Sequence, residues 1–358
     1  MKTLTQVYTH RYVIAYVFAR LWAIMDYHEP NGTTLEAIMR NPQLFDEEDF
    51  LQATEGEIKN WLFDRLDSGR FTSFDGTQLQ YYYVTPPEAR ATIVIFHGFC
   101  EFIDKYHEMM YYMYREGYAV YLLEQRGHGH SDHLLKDLDI VHIGHFDDYI
   151  KDQHQFIEKI VMPYYRAPLF AFAHSMGGNV LAQYLETYPD TFQAAILSSP
   201  MLGFMFEDVP SWQIKLLVAL SHIPAVAKKL GPGQRHFTPV PDFENSSTGS
   251  RARYDYVLNA RIKDPMKQTA GGTVNWGVQS LHACEKAIAN ASKIKVPVLL
   301  FQAIHDGLVD PSAQTRFTAL NPLIEMVSYD NTKHEIFNGP YQVRQDYYEK
   351  IFEFYETH

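Results

Sequence analysis

The sequence predicts an α/β fold: a mostly parallel central sheet with helices on both faces. Two observations carry this. Short apolar runs recur between helical stretches over most of the chain, and most are continuously apolar rather than alternating, the mark of strands buried on both sides. The polar residues of chemical interest then fall just after those runs, where open α/β sheets form their ligand sites. Composition agrees with a large globular chain: 358 residues, 46% apolar and 21% charged, exclude a disordered or collagen-like one. A net charge of −12 argues against a broad nucleic-acid-binding surface. Two cysteines, Cys100 and Cys284, make no disulfide framework and point to a reducing compartment, the cytoplasm.

Residues 1–70 read as a helical, largely polar extension. Its apolar stretch Tyr12–Met25 is interrupted by Arg20 and falls short of the roughly 20 residues a spanning helix needs. Asp26, His28 and Glu29 follow it where a cleavable signal would carry small residues. It is expected to pack on the domain or to rest on a membrane surface, which allows a peripheral place on the inner membrane. Asp46 to Asp49 is an acidic, solvated run, and a helical pattern spans Glu55 to Leu66.

Asp75-Gly76 signals a turn before a strand over Gln78–Val84. Strands follow at Ala91–Phe96, Tyr118–Leu123, Leu169–Ala173 and Ala194–Leu197, with helices at Lys105–Arg115, Tyr149–Ile160 and Gly177–Glu186 between them. The rhythm stops after Pro200. Trp212–Ala227 looks helical but contains Pro224, and 231–250 is rich in Gly, Pro, Ser and Asn. Tyr254–Arg261 and Gln279–Ala291 look helical again. Strands return at Val296–Phe301 and Glu325–Ser328, and Gln342–Tyr355 closes the chain as a helix. The expected organisation is therefore an extension (1–70), a first core segment (71–202), a cap or lid insertion (203–291) and a second core segment (292–358).

The strongest local signal is Ala173-His174-Ser175-Met176-Gly177-Gly178, where a buried-strand pattern runs straight into a helix. A serine at such a sharp turn presents its hydroxyl above the sheet and needs small neighbours. The usual glycine two residues before it is Ala173 here. A nucleophilic serine needs a base, and the base an orienting acid. Asp306 lies just past one later strand and His334 past the next, in the order Ser, Asp, His and on one side of the sheet. Asp310 is the rival acid, though Pro311 after it suggests a helix cap instead. The backbone N–H groups of Met176 and Phe99 are the expected oxyanion donors, with both side chains along an acyl-binding space. Cys100 beside them lacks a histidine and acid in order, and reads as a small packed residue.

The glycine-containing loop 124–132 lacks phosphate-loop and dinucleotide spacing. His128, His130, His133, His142 and His145 lack zinc-site spacing. Neither a metal nor a cofactor is expected.

His97-Gly98 with Glu101, Arg126 to Ser131, Ala173 to Gly178, Ser199 to Gly203, Gly271-Gly272-Thr273 with Trp276, Asp306 to Asp310 and His334-Glu335-Ile336 together resemble the α/β-hydrolase group of bacterial lysophospholipases and monoacylglycerol lipases, among the serine-aminopeptidase-like hydrolases. The likeness runs from about Gln78 to Phe354. Ala173 and Glu124 depart from the common pattern, Glu124 standing where many relatives have Asp. The resemblance implies hydrolysis of the carboxylic ester of a lipid with one acyl chain, with Ser175 as nucleophile, His334 as base and Asp306 as its partner. A general carboxylesterase or a peptidase of the same fold is the alternative. Arg251, Arg253 and Arg261 are the basic candidates for a phosphate head group.

Overall fold

The computed structural model describes residues 42–205 and 210–358. The Tyr12–Met25 stretch lies outside the described residues. In chain order the elements are α1 (Glu47–Glu55), α2 (Glu57–Arg65), β1 (Asp67–Thr72), β2 (Gln78–Val84), β3 (Ala91–Phe96), α3 (His107–Arg115), β4 (Tyr118–Leu123), β5 (Ile140–Val141), α4 (Asp147–Phe156), β6 (Leu169–His174), α5 (Met176–Thr187) and β7 (Ala194–Ser198). Then come α6 (Ser211–Ser221), α7 (Pro224–Ala227), α8 (Arg251–Lys263), β8 (Gly271–Gly272), α9 (Val274–Asn290), β9 (Val298–Ala303), α10 (Pro311–Ala319), β10 (Ile324–Tyr329) and α11 (Tyr341–Thr357).

Among the described residues, eight strands form the main sheet in the order β1-β2-β4-β3-β6-β7-β9-β10. From β4 to β10 every pairing is parallel; β1 and β2 add an antiparallel edge. The continuous apolar runs are explained by alternation between two cores. Val94, Phe96, Ala171, Ala173, Leu197 and Leu300 face one side, under α4, α5, α9 and α10. Their neighbours Ile93, Ile95, Phe170, Phe172, Ile196 and Phe301 face the other, under α1, α2, α3 and α11. Both faces of the central strands are thus dry, which is why apolar residues dominate them.

Three differences from the sequence reading matter. Strand β1, Asp-Ser-Gly-Arg-Phe-Thr, has only Phe71 buried, so its apolar signal is weak; pairing with Gln78–Val84 makes it a strand. The helix expected over Trp212–Ala227 is split at Ile223, whose extended backbone (φ −86°, ψ 114°) precedes Pro224 as proline sterics require. Helix α9 lies alongside α5, with Ala283, Cys284 and Ala287 buried in the first core. No helix among the described residues is long and apolar enough to cross a membrane.

Candidate active site

The carboxyl ends of β3, β6, β7, β9 and the loop after β10 converge on one place. At the end of β6, Ser175 takes φ 52° and ψ −118°, a conformation L-residues avoid. Its amide donates to Ser198 O at 3.0 Å and its carbonyl accepts from Met201 N at 2.9 Å, so neighbouring backbone holds the turn. The two glycines that follow are spatial requirements. A Cβ on Gly177 would sit 2.1 Å from the Phe96 carbonyl oxygen, and one on Gly178 2.6 Å from Pro200 Cβ. Among the described residues the Ser175 hydroxyl makes no hydrogen bond, so it is free to rotate.

His334 Nδ1 meets Asp306 Oδ2 at 2.5 Å. The other carboxylate oxygen accepts from Leu308 N at 2.8 Å and Val309 N at 3.1 Å. Burial by itself raises the Asp306 pKa; the His334 bond and charge and the two amides outweigh it and hold the group below its ordinary value. His334 is tied to the end of β7 by Ser199 Oγ, which donates to its carbonyl at 2.8 Å. Its ring lies 4.8 Å from that of His174, the residue before Ser175. The expected serine, acid and histidine are therefore brought to one end of the sheet.

Met176 opens α5, so its N–H has no carbonyl partner inside the helix. Phe99 follows β3 in a loop fixed by His97. The Gln125 amide donates to His97 Nε2 at 2.8 Å, which leaves Nδ1–H to donate to Gly98 O at 2.8 Å. Burial pushes the His97 pKa down to about 4, so the ring stays neutral and keeps that tautomer. The Phe99 side chain stacks on Trp276 at 3.9 Å between centroids. The Met176 side chain is fully buried in the first core.

A buried ionic network beneath these loops went unread in the sequence. Glu101 accepts from Gly98 N (2.5 Å), Tyr106 OH (2.5 Å) and Lys105 Nζ (3.1 Å), and contacts His174 Nδ1 at 2.9 Å. Lys105 also reaches Glu335 Oε1 at 2.7 Å, and Glu335 takes Ser247 Oγ and Asn338 Nδ2 as well. Burial disfavours charge on Glu101 and Glu335, but Lys105 outweighs it and holds both acids below their ordinary range. The Glu101 spacing after His97-Gly98 was the one available signal.

Other candidates lie elsewhere. Asp310 caps α10, accepting from Ser312 N at 2.8 Å. The Cys100 thiol is pushed up to about 12 by burial, too high for a thiolate nucleophile. His128 contacts Arg126 O, His133 Gly129 O and His142 Thr273 Oγ1; among the described residues no group of three metal-ligating side chains is assembled. Arg251 pairs with Asp255 on the surface. Arg253 is buried, its guanidinium taken by Glu108 at 2.6 and 2.7 Å.

A strained serine turn at the end of a parallel strand, faced by an acid–histidine pair from the ends of later strands, defines the α/β-hydrolase class. Residues 87–340 match the serine aminopeptidase S33 family, and the chain belongs to it. It is 28% identical over 307 residues to lysophospholipase L2 of Escherichia coli K12, covering 85% of this chain and 87% of that one. It is 26% identical over 276 residues to a monoacylglycerol lipase of Mycolicibacterium smegmatis, covering 76% and 91%. Among solved structures, the monoacylglycerol lipase of Paleococcus ferrophilus superposes with a TM-score of 0.60 at 22% identity, over 77% of this chain and 97% of that one. At that identity the likeness speaks for the fold.

Proposed function

We propose that Ser175, His334 and Asp306 form the catalytic triad of a carboxylic-ester hydrolase acting on lipids with one acyl chain. The observation that carries the assignment is the 2.5 Å Asp306–His334 contact, set beside a serine turn with φ 52°. Asp306 accepts a hydrogen bond from Nδ1–H, which leaves His334 Nε2 to take the proton of Ser175 Oγ as the oxygen attacks the ester carbonyl. The amides of Phe99 and Met176 receive the oxyanion. The imidazolium then protonates the leaving alcohol, and water deprotonated by the same nitrogen releases the fatty acid.

The names of the relatives support a lysophospholipid or monoacylglycerol as substrate. The segment between β7 and β9 serves as the cap. Because α9 packs in the core, the cap is better drawn to end near 273 than at 291. Exposed apolar side chains on and after α6, Trp212 at 61% and Ile223 at 49%, suit peripheral contact with a lipid surface.

A fluorophosphonate probe should label the wild type and not Ser175→Ala, and turnover should drop roughly 10⁴- to 10⁶-fold in that variant. Lysophospholipids, monoacylglycerols, diacyl lipids and aminoacyl amides assayed side by side test the substrate class. Label on a residue other than Ser175, or a preference for the amides, would refute the reading.

A further inference from the structure

Beside the acid–histidine pair, under the cap, lies a cavity of about 500 Å³. Leu308 and Glu335 line it, next in sequence to the Asp306 and His334 loops. Although the chain carries a net charge of −12, four cationic side chains line this cavity against two carboxylates. Three of the four are already engaged. Lys105 lies between Glu101 and Glu335, Arg253 is gripped by Glu108, and Arg235 is a mostly exposed residue 3.8 Å from Asp242.

Arg261 on α8 is different. Its Nε donates to Lys267 O at 3.2 Å and its Nη2 to the carbonyls of Cys100 (3.2 Å) and Thr269. The rings of Phe102 and Phe237 lie 5.9 and 5.6 Å from its Cζ. No carboxylate among the described residues comes within ion-pairing distance of it, and Nη1 has no protein acceptor. Removing a cation from water without an anion is costly, and burial accordingly disfavours its charged form. The three carbonyls fix the guanidinium in place, and the more distant carboxylates Glu335 and Glu101 favour its charge without outweighing burial. Its bond to Cys100 O also sets it one residue from the Phe99 amide.

We propose that this cavity binds the phosphate of a single-chain glycerophospholipid, with Arg261 as the principal anion contact; the assignment rests on the hydrolase reading above. With the ester carbonyl at the Phe99 and Met176 amides, the glycerol backbone carries the phosphate away from the acyl chain and into the cavity. A neutral monoacylglycerol leaves the guanidinium without an anion. Preference for the phosphorylated lipid follows from that difference.

The test compares 1-oleoylglycerol 3-phosphate with 1-oleoylglycerol, which differ only in the phosphate, in wild type and Arg261→Met. The wild type should favour the phosphorylated lipid. In the variant, kcat/KM should fall roughly 10- to 100-fold more on that lipid than on the neutral one. Equal falls on both would make Arg261 a structural tie and overturn the proposal. Should Arg261→Met not fold, wild-type inhibition decides: glycerol 3-phosphate should compete with substrate and glycerol should not, and equal behaviour of the two overturns it. Inorganic phosphate inhibiting as strongly as glycerol 3-phosphate, with no preference between the lipids, would mark a free-anion site and overturn the lipid assignment. A wild type that turns over neither lipid and takes no fluorophosphonate label would instead remove the hydrolase reading, and this proposal with it.

Discussion

Asp306→Asn distinguishes the two acids after β9 and probes how the histidine is oriented. The Asp306 carboxylate is used at both ends: Oδ1 accepts two amides, at 2.8 and 3.1 Å, and Oδ2 takes His334 Nδ1. An asparagine can place its carbonyl oxygen toward only one of them. If the oxygen stays with Leu308 and Val309, the side-chain NH₂ donates to His334 Nδ1. The ring proton then moves to Nε2, and the base can no longer accept from Ser175. The flipped amide would point NH₂ at two N–H donors and forfeit two hydrogen bonds worth about 1 kcal/mol each, so the first orientation is favoured. The expected loss in kcat is on the order of 10⁴-fold, with a near-native circular dichroism spectrum. Asp310→Asn should stay within about threefold of wild type, because Asn caps a helix about as well as Asp. An Asp306→Asn enzyme with more than roughly a tenth of wild-type activity, or a dead Asp310→Asn beside it, would refute the tautomer argument.

Gly177→Ala forces a methyl onto the Phe96 carbonyl, 2.1 Å away, where only backbone can give. It should cost at least about 2 kcal/mol in urea unfolding and most of the activity; a variant within about 0.5 kcal/mol of wild type would mean the α5–β3 contact is soft. Glu186 on α5 is raised by burial from 4.5 to about 8, Lys286 and Lys293 only partly offsetting it. A folded pKa above the unfolded one means stability falls as pH rises from 4.5 to about 8, where the carboxylate must be charged in place. Glu186→Gln should therefore melt a few degrees above wild type at alkaline pH and level with it at acid pH; a difference independent of pH would count against this.

The legible part of the fold was the part with dry faces. Strands β3 and β4 fall where their apolar runs stand, because they are buried on both sides. Strand β1 was hidden by its exposure: Ser68 and Arg70 carry no pattern, and only the partner strand defines it. Candidate site residues could be named where one backbone event places them. Ser175 sits between a buried run and two glycines, and Asp306 and His334 each follow a strand. The roles of Arg253 and Arg261 could not be told apart, because what separates them is Glu108 across one gap and three carbonyls across the other.

The Glu101–Lys105–Glu335 network shows why a site of this kind needs more than its reacting groups. Buried ion pairs contribute little net stability, since desolvation cancels most of their attraction; well-packed apolar side chains would serve stability as well. What they could not supply is position. One ammonium holds two carboxylates, and each carboxylate holds a different loop. Glu101 takes the Gly98 amide and the His174 ring, so it fixes the Phe99 loop against the residue preceding Ser175. Glu335 adjoins His334 and takes Ser247 from the segment between β7 and β9. The Phe99 loop, the residue before Ser175, the His334 loop and the segment between β7 and β9, drawn from distant parts of the chain, are thereby referred to a single cation. Arg261 is the exception in the same neighbourhood: similarly fixed, it hydrogen-bonds to carbonyl groups only, and no carboxylate among the described residues comes within ion-pairing distance of it.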